Sequence, residues 1–262
     1  MMDIQKYYKQ SAVSSLNASL ISCIPILFLT VFFIKIHMDS VYFWYLLPFF
    51  IYSTISFCSY YIHQKYSSKM ENAILAREER SLLQKKTVVL TFLPAPSLRM
   101  LIFDADGIVV GEIKDEKFQL LRWYLPYFVD KLYPKSYGFY NSHQMLQYIF
   151  TIKGNSIEIK NKEGKRISKI IEQKTEKAAK TEFVYEKNKI IMKRSLAFTD
   201  YHFENITGIE LATLKKGWMP KEWSNRFMNP NLPLLTINHS AANKEIIHLY
   251  ALLTKIYAYK DH

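Results

Sequence analysis

The residues of this 262-residue chain best placed to do chemistry follow a short apolar run: Met100, Leu101, Ile102 and Phe103 lead into Asp104, Ala105, Asp106 and Gly107. Two carboxylates two residues apart at the end of a strand can act as nucleophile and general acid in phosphoryl transfer. That reaction also needs Mg²⁺ held by further acids, a Lys against the phosphoryl oxygens, and the carboxyl edge of a parallel sheet to present them. Downstream, the aspartates are Asp115, Asp130, Asp200 and Asp261, with no adjacent pair. The competing reading, which we favour, is a hairpin turn, because Asp and Gly accept the positive φ of tight turns.

The Asp-x-Asp-Gly run resembles the nucleophile loop of haloacid dehalogenase-like phosphotransferases. That resemblance implies a Mg²⁺-dependent phosphatase acting through Asp104 and Asp106, and it is kept as the enzymatic alternative. Other enzyme signals are missing together. The seven histidines, His37, His63, His143, His202, His239, His248 and His262, have no metal-type spacing and no cysteine beside them. No Gly-x-Ser-x-Gly, Walker or dinucleotide motif occurs, and seven glycines leave little material for phosphate-cradling loops. Trp123, Trp218 and Trp223 read as core or surface anchors. The expectation is a protein that is not an enzyme and has neither cofactor nor metal.

Charge says more. Residues 87–262 hold 26 Lys and Arg against 18 Asp and Glu, a surplus of 8 out of the chain's net +12. Residues 153–194 alone hold 13 basic and 6 acidic residues. Lys153, Lys160, Lys162, Lys165, Arg166 and Lys169 are therefore candidate contacts for anionic lipid headgroups, each worth about 1 kcal/mol near an anionic leaflet. Nucleic acid is a poorer match, since the lysines lack the Arg and aromatic interleaving of a base-binding surface. A solvated hairpin face is the bland alternative.

The elements that must position these residues follow from hydrophobic periodicity. From residue 87 on, short β-branched and aromatic runs alternate with turn formers. Strands are predicted over 87–93, 98–103, 108–113, 148–153, 156–160, 166–171, 183–186, 189–193, 201–204 and 208–214, an antiparallel meander. Near the end, residues 246–259 are apolar around nearly the whole circumference of a helix. Fourteen residues are too few to span a bilayer, so this helix is expected to be buried in the domain.

The first quarter differs in kind. Residues 11–34 and 41–62 carry no formal charge, and a helix needs roughly 20 such residues to cross about 30 Å of hydrocarbon. Tyr42, Trp44 and Tyr45 at one end of the second run, with Tyr60, Tyr61 and Tyr66 at the other, suit membrane interfaces. Lys6 and Lys9 precede the first run and Lys65, Lys69, Arg77 and Arg80 follow the second, whereas Lys35 alone lies between them. The positive-inside rule then puts both termini in the cytoplasm. Cys23 and Cys58 fall in the two spans, so the rest of the chain cannot be a disulfide scaffold.

The expected organisation is a transmembrane hairpin over 1–63, a basic helical connector over 64–86 with a heptad-like repeat of Leu75, Ala76, Leu82 and Leu83, and a β domain over 87–262. The strand-turn-strand unit 101–111, the hairpin 150–159 and the helix segment 249–253 resemble the tubby C-terminal-like fold. In that fold, shared with LURP-one-related proteins and phospholipid scramblases, a closed barrel wraps a hydrophobic helix. The chain looks most like the small bacterial tubby-like proteins. The resemblance implies an α+β membrane protein in which a two-helix hairpin precedes an antiparallel β-barrel-like domain with a buried C-terminal helix. Its expected role is non-enzymatic binding of anionic lipid or a membrane-protein partner at the cytoplasmic face. A third alternative is an accessory or immunity-type protein acting through its transmembrane hairpin, with Asn17, Cys23 and Ser56 turned to a partner helix.

Overall fold

The computed structural model describes residues 3–36, 40–70, 85–94, 97–116, 134–174, 180–195 and 200–258. The chain forms two compact units that divide between Arg77 and Glu78, inside the stretch expected as connector.

The first unit is an antiparallel helical hairpin. Helix α1, Ile4–Lys35, starts at Asp3, whose carboxylate accepts the Lys6 N–H at 2.8 Å and so satisfies one of the free donors of the first turn. A short 3-10 helix, Ser40–Leu46, leads into α2, Leu47–Met70. The helices are joined by small polar residues. Ser53 Oγ meets Ser19 Oγ at 3.1 Å and Cys23 Sγ at 3.6 Å, and further along Ser67 Oγ donates to the Gln5 carbonyl at 3.3 Å. Ser11, Ala12, Ser19, Ser22 and Ser56 are buried, whereas Ile21, Ile24, Leu27, Phe28, Phe50, Ile51 and Phe57 face outward. Ile4, Tyr8, Ile26, Phe33 and Leu46 are buried with them, but most large apolar side chains of the pair face outward, unlike those of a water-soluble helix pair. Cys23 is thus engaged within the hairpin and Ser56 is buried, while Asn17 stays exposed. Of the expected connector helix, the part up to Met70 continues α2, and the heptad residues lie outside the described residues.

The second unit is a closed antiparallel barrel of twelve strands: β1 Thr87–Phe92, β2 Arg99–Phe103, β3 Val109–Asp115, β4 Lys135–Asn141, β5 Leu146–Lys153, β6 Ser156–Asn161, β7 Arg166–Lys174, β8 Lys180–Tyr185, β9 Asn188–Arg194, β10 Tyr201–Asn205, β11 Glu210–Lys216 and β12 Pro233–Ile237. Each strand pairs with its sequence neighbours, and β1 closes on β12 with Val88 opposite Leu235. Helix α3, Asn243–Ala258, fills the barrel, and Leu249, Tyr250, Ala251, Leu252 and Leu253 are all fully buried. The geometry explains why. Eight strands leave an interior that side chains alone can fill, whereas twelve leave room for a helix about 10 Å across. A helix inside a closed sheet has no polar side, hence its apolar circumference.

Two strands escaped the sequence reading. β4 contains Gly138 and opens with Lys135, an unusual residue to find fully buried. A Cβ at Gly138 would meet the Tyr140 ring at 2.6 Å, so the glycine makes room for that ring, over which Lys114 Nζ sits at 4.4 Å. β12 begins with Pro233, which breaks the strand signal but is tolerated at a first position. The outer face of β1–β3 is also covered: Val89, Leu101 and Phe103 are buried, and Phe103 packs edge-on against Phe227 at 5.9 Å.

Candidate functional site

The carboxylates singled out first belong to a turn. Asp104 Oδ1 accepts the N–H groups of Asp106 and Ile108, both at 3.0 Å, and Oδ2 accepts Lys85 Nζ at 2.7 Å. Asp106 is exposed and pairs with Arg226 at 3.0 Å, whose guanidinium also donates to the Ala105 carbonyl at 2.8 Å. The flanking strands β2 and β3 run antiparallel, as the hairpin reading expects; no parallel-sheet edge presents these aspartates.

The same turn recurs where the sequence reading saw no repeat. After β4, Asn141 Oδ1 accepts from His143 and Met145 N–H; after β6, Asn161 Oδ1 accepts from Lys165 N–H; after β10, Asn205 Oδ1 accepts from Thr207 and Ile209 N–H. In each loop the fourth residue has positive φ: Gly107, Gln144, Gly164 and Gly208. In each, too, the ladder shifts by one residue just beyond the turn. The seventh position, Val110, Gln147, Ile167 or Leu211, is the extra residue of a bulge. An Asx residue followed three positions later by Gly or Gln is the sequence signal that would have revealed it.

These four loops share one end of the barrel with Lys85 and Thr87, at the start of β1, and with the start of α3. We call this the proximal end. The six basic candidates do not form one patch. Lys160 lies opposite Arg166, and Lys162 and Lys165 occupy the turn between them, so these four gather at the proximal corner of β6–β7. Lys169 lies mid-strand opposite Glu158. Lys153 sits beside the distal turn, opposite Ser156, four residues or about 13 Å along β6 from Lys160.

At the corner, unlike on β8 and β9, the clustered cations lack compensating acids. On β8 and β9 the lysines are neutralised across strands, whereas Lys215 and Lys216 on β11 have no acidic partner among the described residues. Glu182 takes Lys180 at 2.7 Å and Lys189 at 3.1 Å, which hold its carboxyl below the usual range, and Glu204 takes Lys193 at 2.6 Å. Glu210 likewise meets His202 at 2.7 Å. Among the described residues, no acidic side chain comes within ion-pair distance of Lys153, Lys160, Lys165, Arg166 or Lys169; Lys162 has only the exposed neighbour Glu163, at 3.7 Å. The bulge residue Ile167 is exposed beside this cluster. The sequence reading missed Ile167, and with it the exposed Met145, Ile206 and Ile209 on the neighbouring turns.

Among the described residues no group of three or more His, Cys, Asp or Glu side chains is placed to hold a metal ion. Compared with known protein families, with curated proteins and with solved structures, the chain matches none.

Proposed function

We propose that this chain is a membrane-anchored, non-enzymatic binding module whose barrel contacts anionic lipid headgroups through the proximal β6–β7 corner. The observation that carries this reading is the uncompensated cluster of Lys160, Lys165 and Arg166 on a barrel whose other outward lysines on β8 and β9 are largely paired. The anchor is supported by two helices long and apolar enough to cross a membrane, with small polar residues joining them and most large apolar ones facing outward. Lys and Arg flanking both spans favour cytoplasmic termini. The tubby-like resemblance implies a closed barrel wrapped around a hydrophobic helix, and kinship with that fold is part of this proposal. The engagement of Asp104 and Asp106 in a turn supports the non-enzymatic reading over a phosphatase.

The test uses the barrel expressed from residue 85 onward, once cooperative unfolding shows that it is folded. It should sediment with phosphatidylserine-containing vesicles at low salt and be released as the Debye length falls from about 30 Å at 0.01 M to about 8 Å at 0.15 M. Phosphatidylcholine vesicles should not bind it. Lys160→Gln, Lys165→Gln and Arg166→Gln together remove about 3 kcal/mol of attraction, roughly a hundredfold in partitioning. Equal binding by this variant and the wild type would reduce the surplus charge to a solubility feature.

A further inference from the structure

We infer that the surface seated on the membrane is the whole proximal rim of the barrel, with the tips of alternate hairpins entering the bilayer interface. This rests on the lipid-contact reading above and extends it from one charged corner to a composite surface. Because the turns after β2, β4, β6 and β10 share one backbone geometry, their corresponding positions stand at corresponding heights on the rim. The fifth position is Ile108, Met145, Lys165 or Ile209, and the second is Ala105, Ser142, Lys162 or Ile206. Among the described residues of the barrel, the exposed large apolar side chains are Met145, Ile167, Ile171, Ile206, Ile209 and Trp218, each 44% to 59% exposed. Four of them, Met145, Ile167, Ile206 and Ile209, lie at the proximal end.

Local structure does not ask for them. Asn205 closes its turn through the Thr207 and Ile209 N–H groups and the Thr207 hydroxyl, so Ile206 serves the turn in no way that a polar residue could not. Isoleucine is also a poor choice for a solvated loop tip. Charge fits the same occupant. At this end Asp104, Asp106, Glu163, Glu186 and Glu210 face Lys85, Arg226, Lys162, Lys244 and His202 respectively, and Glu245 accepts the Ala242 N–H without a cationic partner among the described residues. Lys86, Lys160, Lys165, Arg166 and Lys187 remain without an acidic partner among the described residues. Apolar tips ringed by surplus cations complement the anionic interface of a bilayer, where apolar side chains enter the acyl boundary and Lys and Arg stay among the headgroups.

The experiment uses the full-length protein with Cys23→Ser and Cys58→Ser. Single cysteines at Ser142 or Thr207 on proximal tips, or at Asn155 on the distal turn, carry an environment-sensitive fluorophore, and the protein is reconstituted in phosphatidylcholine/phosphatidylserine nanodiscs. Labels at 142 and 207 should shift to the blue and lose intensity to lipids bearing a nitroxide just below the headgroup, while the label at 155 does neither. Rim labels as water-exposed as the one at 155 would overturn the inference. A blue shift without quenching by the nitroxide lipid would also overturn it and assign the rim to a second copy or another protein. Quenching that persists in pure phosphatidylcholine and in the variant with Lys160, Lys165 and Arg166 changed to Gln would sink the anionic reading yet uphold the rim.

Discussion

Gln144 occupies the position that Gly107, Gly164 and Gly208 hold in the other three Asx loops, and all four have positive φ. A side chain there carries roughly 1–2 kcal/mol of left-handed strain, partly offset because glycine loses roughly 0.5–1 kcal/mol more chain entropy on folding. Gln144→Gly should therefore raise stability by about 0.5 kcal/mol and Gly208→Ala lower it by a similar amount, both read by denaturant unfolding. Since an added Cβ at Gly208 would meet nothing within 4 Å, the second effect isolates backbone conformation. His248 makes the opposite kind of demand. Buried on α3 against the Tyr185 ring at 4.2 Å, it is pushed down to about 4 by burial first and by Lys244 second, with Glu186 opposing. The folded state then keeps this imidazole neutral. The stability it contributes is complete above pH 6.5 and is lost as pH falls toward 4, at about 1.4 kcal/mol per pH unit. Unfolding free energy should drop by about 1.6 kcal/mol between pH 6.5 and 5, and His248→Phe should flatten that slope.

At the scale of elements, α3 is the core around which the sheet closes. It carries one buried ammonium, Lys255, paired with Glu172 on the inner side of β7. Glu172→Gln leaves that ammonium without its counter-charge and should destabilise by about 2–3 kcal/mol, below the usual range for a buried pair because Glu172 is partly exposed. Leu252→Ala should cost about 2–5 kcal/mol through the cavity it opens, measured by thermal or denaturant unfolding. Truncation before Asn243 should leave a chain that aggregates. A truncated barrel that unfolded cooperatively as a monomer would show that the helix is peripheral.

For the molecule as a whole, the division into two compact units predicts that residues 85–262 fold cooperatively without the hairpin, whereas 3–70 stay insoluble without detergent. A reporter fused after His262 should be active in the cytoplasm and silent outside, because basic residues flank the first span's start and the second span's end. The hairpin exposes its apolar residues and the barrel hides most of its own.

The sequence by itself determined the elements. Chargeless runs gave the two long helices, alternating apolar residues between turn formers gave most strands of the meander, and the apolar circumference of 246–259 gave a buried final helix. These signals are local, since one stretch of side chains must match one period. Gly138 and Pro233 hid β4 and β12 because their fitness depends on a neighbouring ring and a strand end, which no window along the chain contains. Tertiary structure alone decided that the sheet closes β1 on β12, that four loops repeat one geometry, and which cations stand together. The bulge that leaves Ile167 unpaired sets Arg166 against Lys160, and antiparallel register carries Lys153 to the far end. Pairing across strands neutralised the lysines of β8 and β9 and left those of the β6–β7 corner charged, a difference that composition, identical in kind along both stretches, does not contain.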